Sequence, residues 1–137
     1  MIFVDSSFWV ALSNRRDPRH LEARALLERR ADAGLVTSNH VRGESWTYLR
    51  RRAGHAAAVG FLDALERSPR LRVVVVDERL EQEALRWLRR HDEREYSFVD
   101  ATSFATMRSL RLREALAFDG DYSAAGFVEL RWPELPE

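Results

Sequence analysis

Short apolar segments alternate along this chain with longer segments whose apolar residues recur every three or four positions. The apolar segments predict strands at residues 2–5, 35–37, 71–76, 114–119 and 128–130. The longer segments predict helices at residues 18–33, 39–52, 55–66, 78–90 and 97–110. Strands that alternate with helices form parallel sheets through right-handed crossovers. The predicted fold class is therefore α/β, with a parallel sheet and helices on both of its faces.

Two local patterns make this prediction more specific. Asp17-Pro18 is typical of a helix start, because aspartate caps a helix and proline fits its first position. In that helix Leu21, Ala25 and Leu26 are expected to face the core. The four consecutive valines at residues 73–76 predict a strand that is buried on both faces of the sheet.

The length and composition narrow the class of protein. A chain of 137 residues predicts one domain, residues 1–137, with a core large enough to fold without a metal or a disulfide. It contains no cysteine, which excludes disulfides, thiolate zinc sites and a cysteine nucleophile. No apolar stretch is long enough to span a bilayer, and the chain opens without a signal-peptide pattern. We therefore expect a cytoplasmic protein that does not associate with membranes.

Two predicted strands run into an aspartate. Asp5 follows Ile2-Phe3-Val4, and Asp119 ends the segment that begins at residue 114. In open parallel sheets, ligands bind beyond the carboxyl ends of the strands. Both side chains are therefore candidates for a functional site at one edge of the sheet.

Two further acids lie among apolar residues of predicted helices. Val41 and Tyr48 are at helical spacing from Glu44, and Phe104 is at helical spacing from Asp100. Because a buried carboxylate without a partner is unfavourable, acids in such positions call for a cation. Ligands that offer only oxygen favour Mg²⁺ or Mn²⁺, and such ions support phosphodiester hydrolysis.

Each of these acids also has a purely structural interpretation. Ser97-x-x-Asp100 matches a capping box, Asp119-Gly120 is a common turn, and Glu44 can be a solvated helix residue. Other chemistries have less support, because the four histidines show no ligand spacing and the chain contains neither a P-loop nor a nucleophile elbow. The hypothesis of a metal site therefore depends on the four acids together.

Four motifs, in this order, resemble those of PIN-domain ribonucleases, most closely the VapC-type toxins. They are Asp5-Ser6-Ser7 after the first strand, Glu44 after Thr37-Ser38-Asn39, Phe98-Val99-Asp100-Ala101 at a helix start, and Ala117-Phe118-Asp119-x-Asp121 before Ala125-Gly126-Phe127. The resemblance covers essentially the whole chain. It implies a PIN-like α/β/α sandwich and an endoribonuclease dependent on Mg²⁺ or Mn²⁺, the toxin of a type II toxin–antitoxin pair.

The same resemblance assigns expected residues and partners. Asp5, Glu44, Asp100 and Asp119 match the acidic quartet that binds metal and carries catalysis, with Ser7 and Asp121 in support. The expected substrate is RNA (tRNA, rRNA or mRNA), cut to leave a 5′-phosphate and a 3′-hydroxyl. The expected partners are a second copy of the chain and a VapB-type antitoxin, whose C-terminal segment docks in the active-site groove.

Arginine supplies all 22 basic residues of the chain, and 22 acidic residues balance them. This balance argues against a protein that coats nucleic acid over a wide basic surface. Local clusters are nevertheless candidates for contacts with RNA phosphates, because the guanidinium fork suits phosphate oxygens. The candidates are Arg15, Arg16, Arg50, Arg51 and Arg52.

Three other functions are compatible with parts of this pattern. A PIN nuclease for RNA processing needs no antitoxin, and a silent PIN module would bind RNA or protein without cleaving. A phosphatase with Asp5 as its nucleophile would ordinarily have a second acid two residues later, where this chain has Ser7. The four acids together favour the nuclease.

Overall fold

The computed structural model describes residues 1–132 of the chain. Within them the elements follow in the order β1 (Ile2–Val4), α1 (Ser6–Ser13), α2 (His20–Arg29), β2 (Leu35–Ser38), α3 (Asn39–Arg52), α4 (His55–Arg67), β3 (Leu71–Val74), α5 (Glu78–Arg90), α6 (Phe98–Leu110), β4 (Glu114–Leu116), α7 (Asp121–Ala124) and β5 (Val128–Glu129). No helix among these residues is long and apolar enough to cross a membrane.

The strands form a parallel sheet in the order β3-β2-β1-β4-β5. The chain moves outward from β1 through β2 to β3 and then crosses back to β4, so the winding direction changes between β1 and β4. Helix α1 contacts α2, α3 and α4, and α3 contacts α4, whereas α6 contacts α5 and α7 and also reaches α3. With right-handed crossovers these two groups lie on opposite faces of the sheet, which confirms the predicted α/β/α sandwich.

The centre of the sheet is apolar and fully enclosed. Phe3, Val36 and Leu116, from β1, β2 and β4, have no accessible surface. Phe8 and Phe104 pack against this layer from α1 and α6 and are also fully buried. A rigid support of this kind fixes the residues that follow β1 and β4, where the change of winding direction opens a crevice.

The structure corrects the prediction for the run of valines. β3 ends at Val74 and is an edge strand of partly exposed residues, not a strand buried on both faces. Val75 is 68% exposed, and Val76 alone of the four is buried. The composition of a strand does not determine its position in the sheet, and an edge strand has only one neighbour to cover it.

The N-terminal helices also differ from the prediction. α1 was not predicted, because five of its eight residues are buried and no helical periodicity is visible. α2 begins at His20 with Arg19 at its N-cap position, and the Asp17 side chain accepts a bond from the Arg19 N–H at 2.8 Å in the turn before it. Leu21, expected in the core, is 76% exposed.

Candidate active site

Asp5 lies directly after β1 and caps α1. Its Oδ2 accepts bonds from the Ser7 N–H at 3.2 Å and from the Ser7 hydroxyl at 2.7 Å. Its Oδ1 accepts a bond from the Tyr122 hydroxyl at 2.9 Å. The residue is only 1% exposed, and burial raises the pKa of its carboxyl although these donors oppose the shift.

Ser7 connects the ends of the two central strands. Its hydroxyl donates to Asp5 and accepts a 3.0 Å bond from the Phe118 N–H, which lies just beyond β4. One side chain therefore sets the distance between the segments that follow β1 and β4. The predicted supporting role of Ser7 in the site stays a prediction.

Glu44 reaches the same region from α3. The helix begins after Ser38, whose hydroxyl accepts a bond from the Val41 N–H at 3.1 Å. The Ser6 hydroxyl donates a 2.5 Å bond to Oε1 of Glu44. Burial raises the pKa of Glu44, and the negative charge of Asp5 acts in the same direction, against the bond from Ser6.

Asp100 occupies the first turn of α6 and completes the predicted capping box. Its Oδ2 accepts a bond from the Ser97 N–H at 3.0 Å, and the Ser97 hydroxyl accepts one from the Asp100 N–H at 2.9 Å. Burial raises the pKa of Asp100 to about 7, and the charges of Asp5 and Asp121 contribute to the rise. The capping and metal-ligand interpretations of Asp100 are therefore compatible.

Asp119 and Asp121 lie on a tight turn after β4. Gly120 between them has φ +83°, a conformation that favours glycine, and Oδ1 of Asp119 accepts a bond from the Asp121 N–H at 3.1 Å. Desolvation of the carboxyl and, next, the negative charge of Asp5 together raise the pKa of Asp119 to about 8, although the residue is exposed. Arg94 holds Asp121 through a 2.6 Å bond from Nε to Oδ1.

Carboxylate oxygens of Asp100, Asp119 and Asp121 all lie within 4.8 Å of one another. Asp121, which was expected only to support the site, belongs to this group, whereas Asp5 and Glu44 do not. An oxygen-only set of this kind, in which burial and neighbouring negative charges raise the pKa values of Asp100 and Asp119, fits a hard divalent cation. The structure therefore supports a cation site at the predicted edge of the sheet.

The acids surround an open cleft of about 450 Å³. Its lining consists of Ser6, Ser7, Val10, Asp17, Arg19, Glu44, Tyr48, Arg52, Glu95, Ser97, Asp100, Phe118, Asp119 and Asp121. Asp5 lies behind this wall, where it can act on a bound ion but has almost no surface to offer a substrate.

The predicted arginines are divided by the fold. Arg52 lines the cleft, whereas Arg15, Arg16, Arg50 and Arg51 are exposed residues outside its lining. A further cleft residue, Arg19, was not among the candidates. Nothing in the sequence distinguishes Arg19 from the other arginines. It lines the cleft because the turn after α1 brings it there.

The comparisons agree with this architecture. The family model of the PIN domain matches residues 2–128, and the chain therefore belongs to the PIN-domain family. Members of this family use divalent metal ions for nuclease chemistry, in agreement with the oxygen-only cluster.

Relatives with similar sequences and a similar crystal structure identify the subgroup within the PIN-domain family. The chain is 57% identical over 131 residues to the 23S rRNA-specific endonuclease VapC20 of two Mycobacterium tuberculosis strains, CDC 1551 / Oshkosh and H37Rv. These alignments cover 96% of this chain and 98% of each relative. The crystal structure of Mycobacterium tuberculosis VapC20, a sarcin–ricin loop cleaving toxin, superposes with a TM-score of 0.90 at 56% identity, covering 96% of this chain and 99% of that one.

Within the family this chain is a VapC-type endoribonuclease toxin, as its motifs predicted. A toxin of this type acts on RNA and has a VapB antitoxin as its partner.

Proposed function

We propose that this toxin hydrolyses a phosphodiester bond of 23S rRNA within the sarcin–ricin loop, with Mg²⁺ or Mn²⁺ as its cofactor. The rRNA target is supported by 57% identity to a 23S rRNA-specific endonuclease over nearly the full length of both chains. The metal is supported by one observation above all, the convergence of Asp100, Asp119 and Asp121 oxygens within 4.8 Å. Carboxylate oxygens are the ligands that both ions prefer.

Asp5, Glu44, Asp100 and Asp119 are the proposed metal-binding and catalytic residues, with Asp121 beside them. A divalent ion held there supplies Lewis acidity, which lowers the pKa of water and offsets the charge of the phosphate. Neighbouring side chains of the protein position these acids. Donors from Ser7 and Tyr122 orient the Asp5 carboxyl and oppose the rise in its pKa that burial causes.

The hydroxyl of Ser6 performs a similar task for Glu44, because its 2.5 Å bond restrains the carboxylate at the wall of the cleft. Ser97 fixes Asp100 through the helix cap, and Arg94 fixes Asp121. Preorganised side chains lose little conformational freedom when a substrate binds, and such positioning supports catalysis.

We also propose the domain organisation, cellular location and assembly of the toxin. Residues 1–137 act as one domain, which is supported by one continuous sheet through residues 2–129, although residues 133–137 lie outside the described part. The toxin works in the cytoplasm as a homodimer, and the C-terminal segment of its VapB antitoxin covers the cleft. Light scattering of the toxin with and without the antitoxin tests the assembly.

Primer extension on ribosomal RNA tests the proposed target. Ribosomes incubated with the toxin and Mg²⁺ should acquire one new 5′-phosphate end in the sarcin–ricin loop of 23S rRNA. The matched control is Asp119→Asn, and EDTA provides a second control. Cleavage of tRNA or mRNA with an intact sarcin–ricin loop would contradict the rRNA assignment and leave the nuclease assignment in place.

A further inference from the structure

The acidic residues of the cleft repel the phosphates of RNA. Six of the residues that line the cleft are acids, namely Asp17, Glu44, Glu95, Asp100, Asp119 and Asp121. Among residues 1–132, the cleft lining contains two groups with a fixed positive charge, Arg19 and Arg52. Since an RNA strand is a polyanion, these two arginines are the lining groups that can hold phosphates near the acids, whereas the nearby Arg94 is paired with Asp121.

Arg19 lies over an aromatic ring in the lining of the cleft. Its guanidinium carbon is 4.8 Å from the centre of the Phe118 ring, and the Arg19 side chain is 45% exposed. The nearest carboxylate, that of Glu22, is 3.9 Å away and leaves the guanidinium only weakly paired. The position of Phe118 is fixed in turn by the bond between its N–H and Ser7.

Arg52 forms a similar pair on α3. Its guanidinium carbon is 5.1 Å from the centre of the Tyr48 ring, which belongs to a residue that is 44% exposed. Glu44, Tyr48 and Arg52 are spaced four residues apart and therefore follow one face of the helix. No carboxylate within residues 1–132 forms an ion pair with Arg52.

Each pair consists of an arginine and an aromatic ring, and all four residues line the same cleft as the acids. The Phe118 ring also carries Arg131, a residue outside the lining whose guanidinium carbon is 5.5 Å from the ring centre. A guanidinium positioned over a ring can still donate its N–H groups to a phosphate and offer a planar face to a base. Aromatic and arginine faces of this kind bind unstacked bases, whereas the bases of a duplex are stacked on each other and unavailable.

We propose that Arg19 with Phe118 and Arg52 with Tyr48 form a two-part clamp that holds an unpaired RNA segment across the acidic centre. Each pair binds a nucleotide on one side of the bond to be cut. On the proposed target, these contacts fall on unpaired nucleotides of the loop rather than on its helical stem. This inference rests on the proposed function, because it assigns the substrate contacts of the same cleft.

Binding measurements in a common background test the clamp. Fluorescence anisotropy with a labelled loop RNA, in an Asp119→Asn background with Mg²⁺, gives the affinity at several salt concentrations. Arg19→Gln and Arg52→Gln should each weaken binding by about fivefold or more and reduce the salt slope by about 0.7. The control Arg86→Gln changes an exposed arginine of α5 outside the cleft and should change neither quantity.

Lysine variants separate charge from stacking. Arg19→Lys and Arg52→Lys should retain the salt slope and lose part of the affinity, because lysine keeps the charge and lacks the planar face. Thermal unfolding of each variant verifies that it folds. Unchanged affinity in both glutamine variants, or equal affinity for the loop and for a duplex of the same sequence, would overturn the clamp. Absence of cleavage by the unmodified toxin would instead overturn the proposed function.

Discussion

The Tyr122 hydroxyl donates a 2.9 Å hydrogen bond to Oδ1 of Asp5, and both side chains are almost completely buried. The two residues are 117 positions apart in the sequence. Ser7 occupies the other oxygen of the same carboxylate. Hydrogen bonds to both of its oxygens therefore orient the Asp5 carboxyl without a bound cation, so the fold preorganises this part of the site.

Removal of the Tyr122 hydroxyl should weaken both the fold and the site. Tyr122→Phe leaves Oδ1 of Asp5 buried without this donor, at a cost of about 1–3 kcal/mol in the free energy of unfolding. Denaturant unfolding measures the loss, and calorimetric titration with Mn²⁺ should show weaker binding.

Tyr96→Phe is the matched control for that variant. The Tyr96 hydroxyl is buried and has no hydrogen-bond partner within residues 1–132. Its removal should leave stability unchanged or slightly higher, because no bond is lost. Equal losses in the two variants would contradict a specific contribution from the bond between Tyr122 and Asp5.

The stability of the metal-free protein should fall as pH rises. The carboxyls of Asp100 and Asp119 have pKa values of about 7 and about 8 in the folded protein, against 3.8 for an ordinary aspartate. At pH values between the ordinary aspartate pKa and these raised pKa values, the folded state binds more protons than the unfolded state, so raising the pH favours unfolding. Thermal unfolding in EDTA should show this decline from about pH 4 to about pH 8. Asp119→Asn should flatten it, and an equally steep decline in that variant would contradict the assignment.

Cation binding should release protons near neutral pH. A divalent cation favours the ionised carboxyls, so Asp100 and Asp119 must lose the protons that their raised pKa values retain at pH 7. Titration calorimetry with Mn²⁺ in two buffers of different ionisation enthalpy counts those protons. The number should decrease at pH 9 and in Asp119→Asn. A count that does not depend on pH would show that neither carboxyl is a ligand.

The helix cap of α6 should stabilise the fold as well as the site. Ser97→Ala removes the oxygen that accepts the Asp100 N–H and should lower the free energy of unfolding by about 1 kcal/mol. The bond from the Ser97 N–H to Asp100 remains, so Mn²⁺ affinity should fall only slightly. Ser109→Ala, an exposed position near the other end of the helix, is the control and should cost much less. Similar losses at both positions in urea unfolding would argue against the cap.

The sequence predicted the alternation of elements and the edge of the sheet on which the acids meet. These follow from local patterns, since Asp5 comes directly after an apolar strand and Asp100 opens a helix with its own cap. The position of each strand in the tertiary structure was harder to predict from the sequence. The valines of residues 73–76 read as a central strand, yet β3 has only one neighbour in the sheet.

The residues that the sequence missed or assigned too small a role depend on long-range packing. Asp121 was predicted only to support the site, and it joins Asp100 and Asp119 because Gly120 turns the chain tightly. Tyr122 was not a candidate because its partner Asp5 lies 117 positions away in the sequence. Arg19 became identifiable only when the turn after α1 placed it over the ring of Phe118.

The central claim is that the carboxylates of this cleft hold a divalent cation which the nuclease reaction needs. The most direct test is single-turnover cleavage of a sarcin–ricin loop RNA by the toxin and by Asp5→Asn, with Mg²⁺, Mn²⁺ or EDTA. We predict 5′-phosphate products with either ion, and loss of cleavage both in EDTA and in the folded Asp5→Asn variant. Cleavage that persists in EDTA, or that survives Asp5→Asn, would contradict the account.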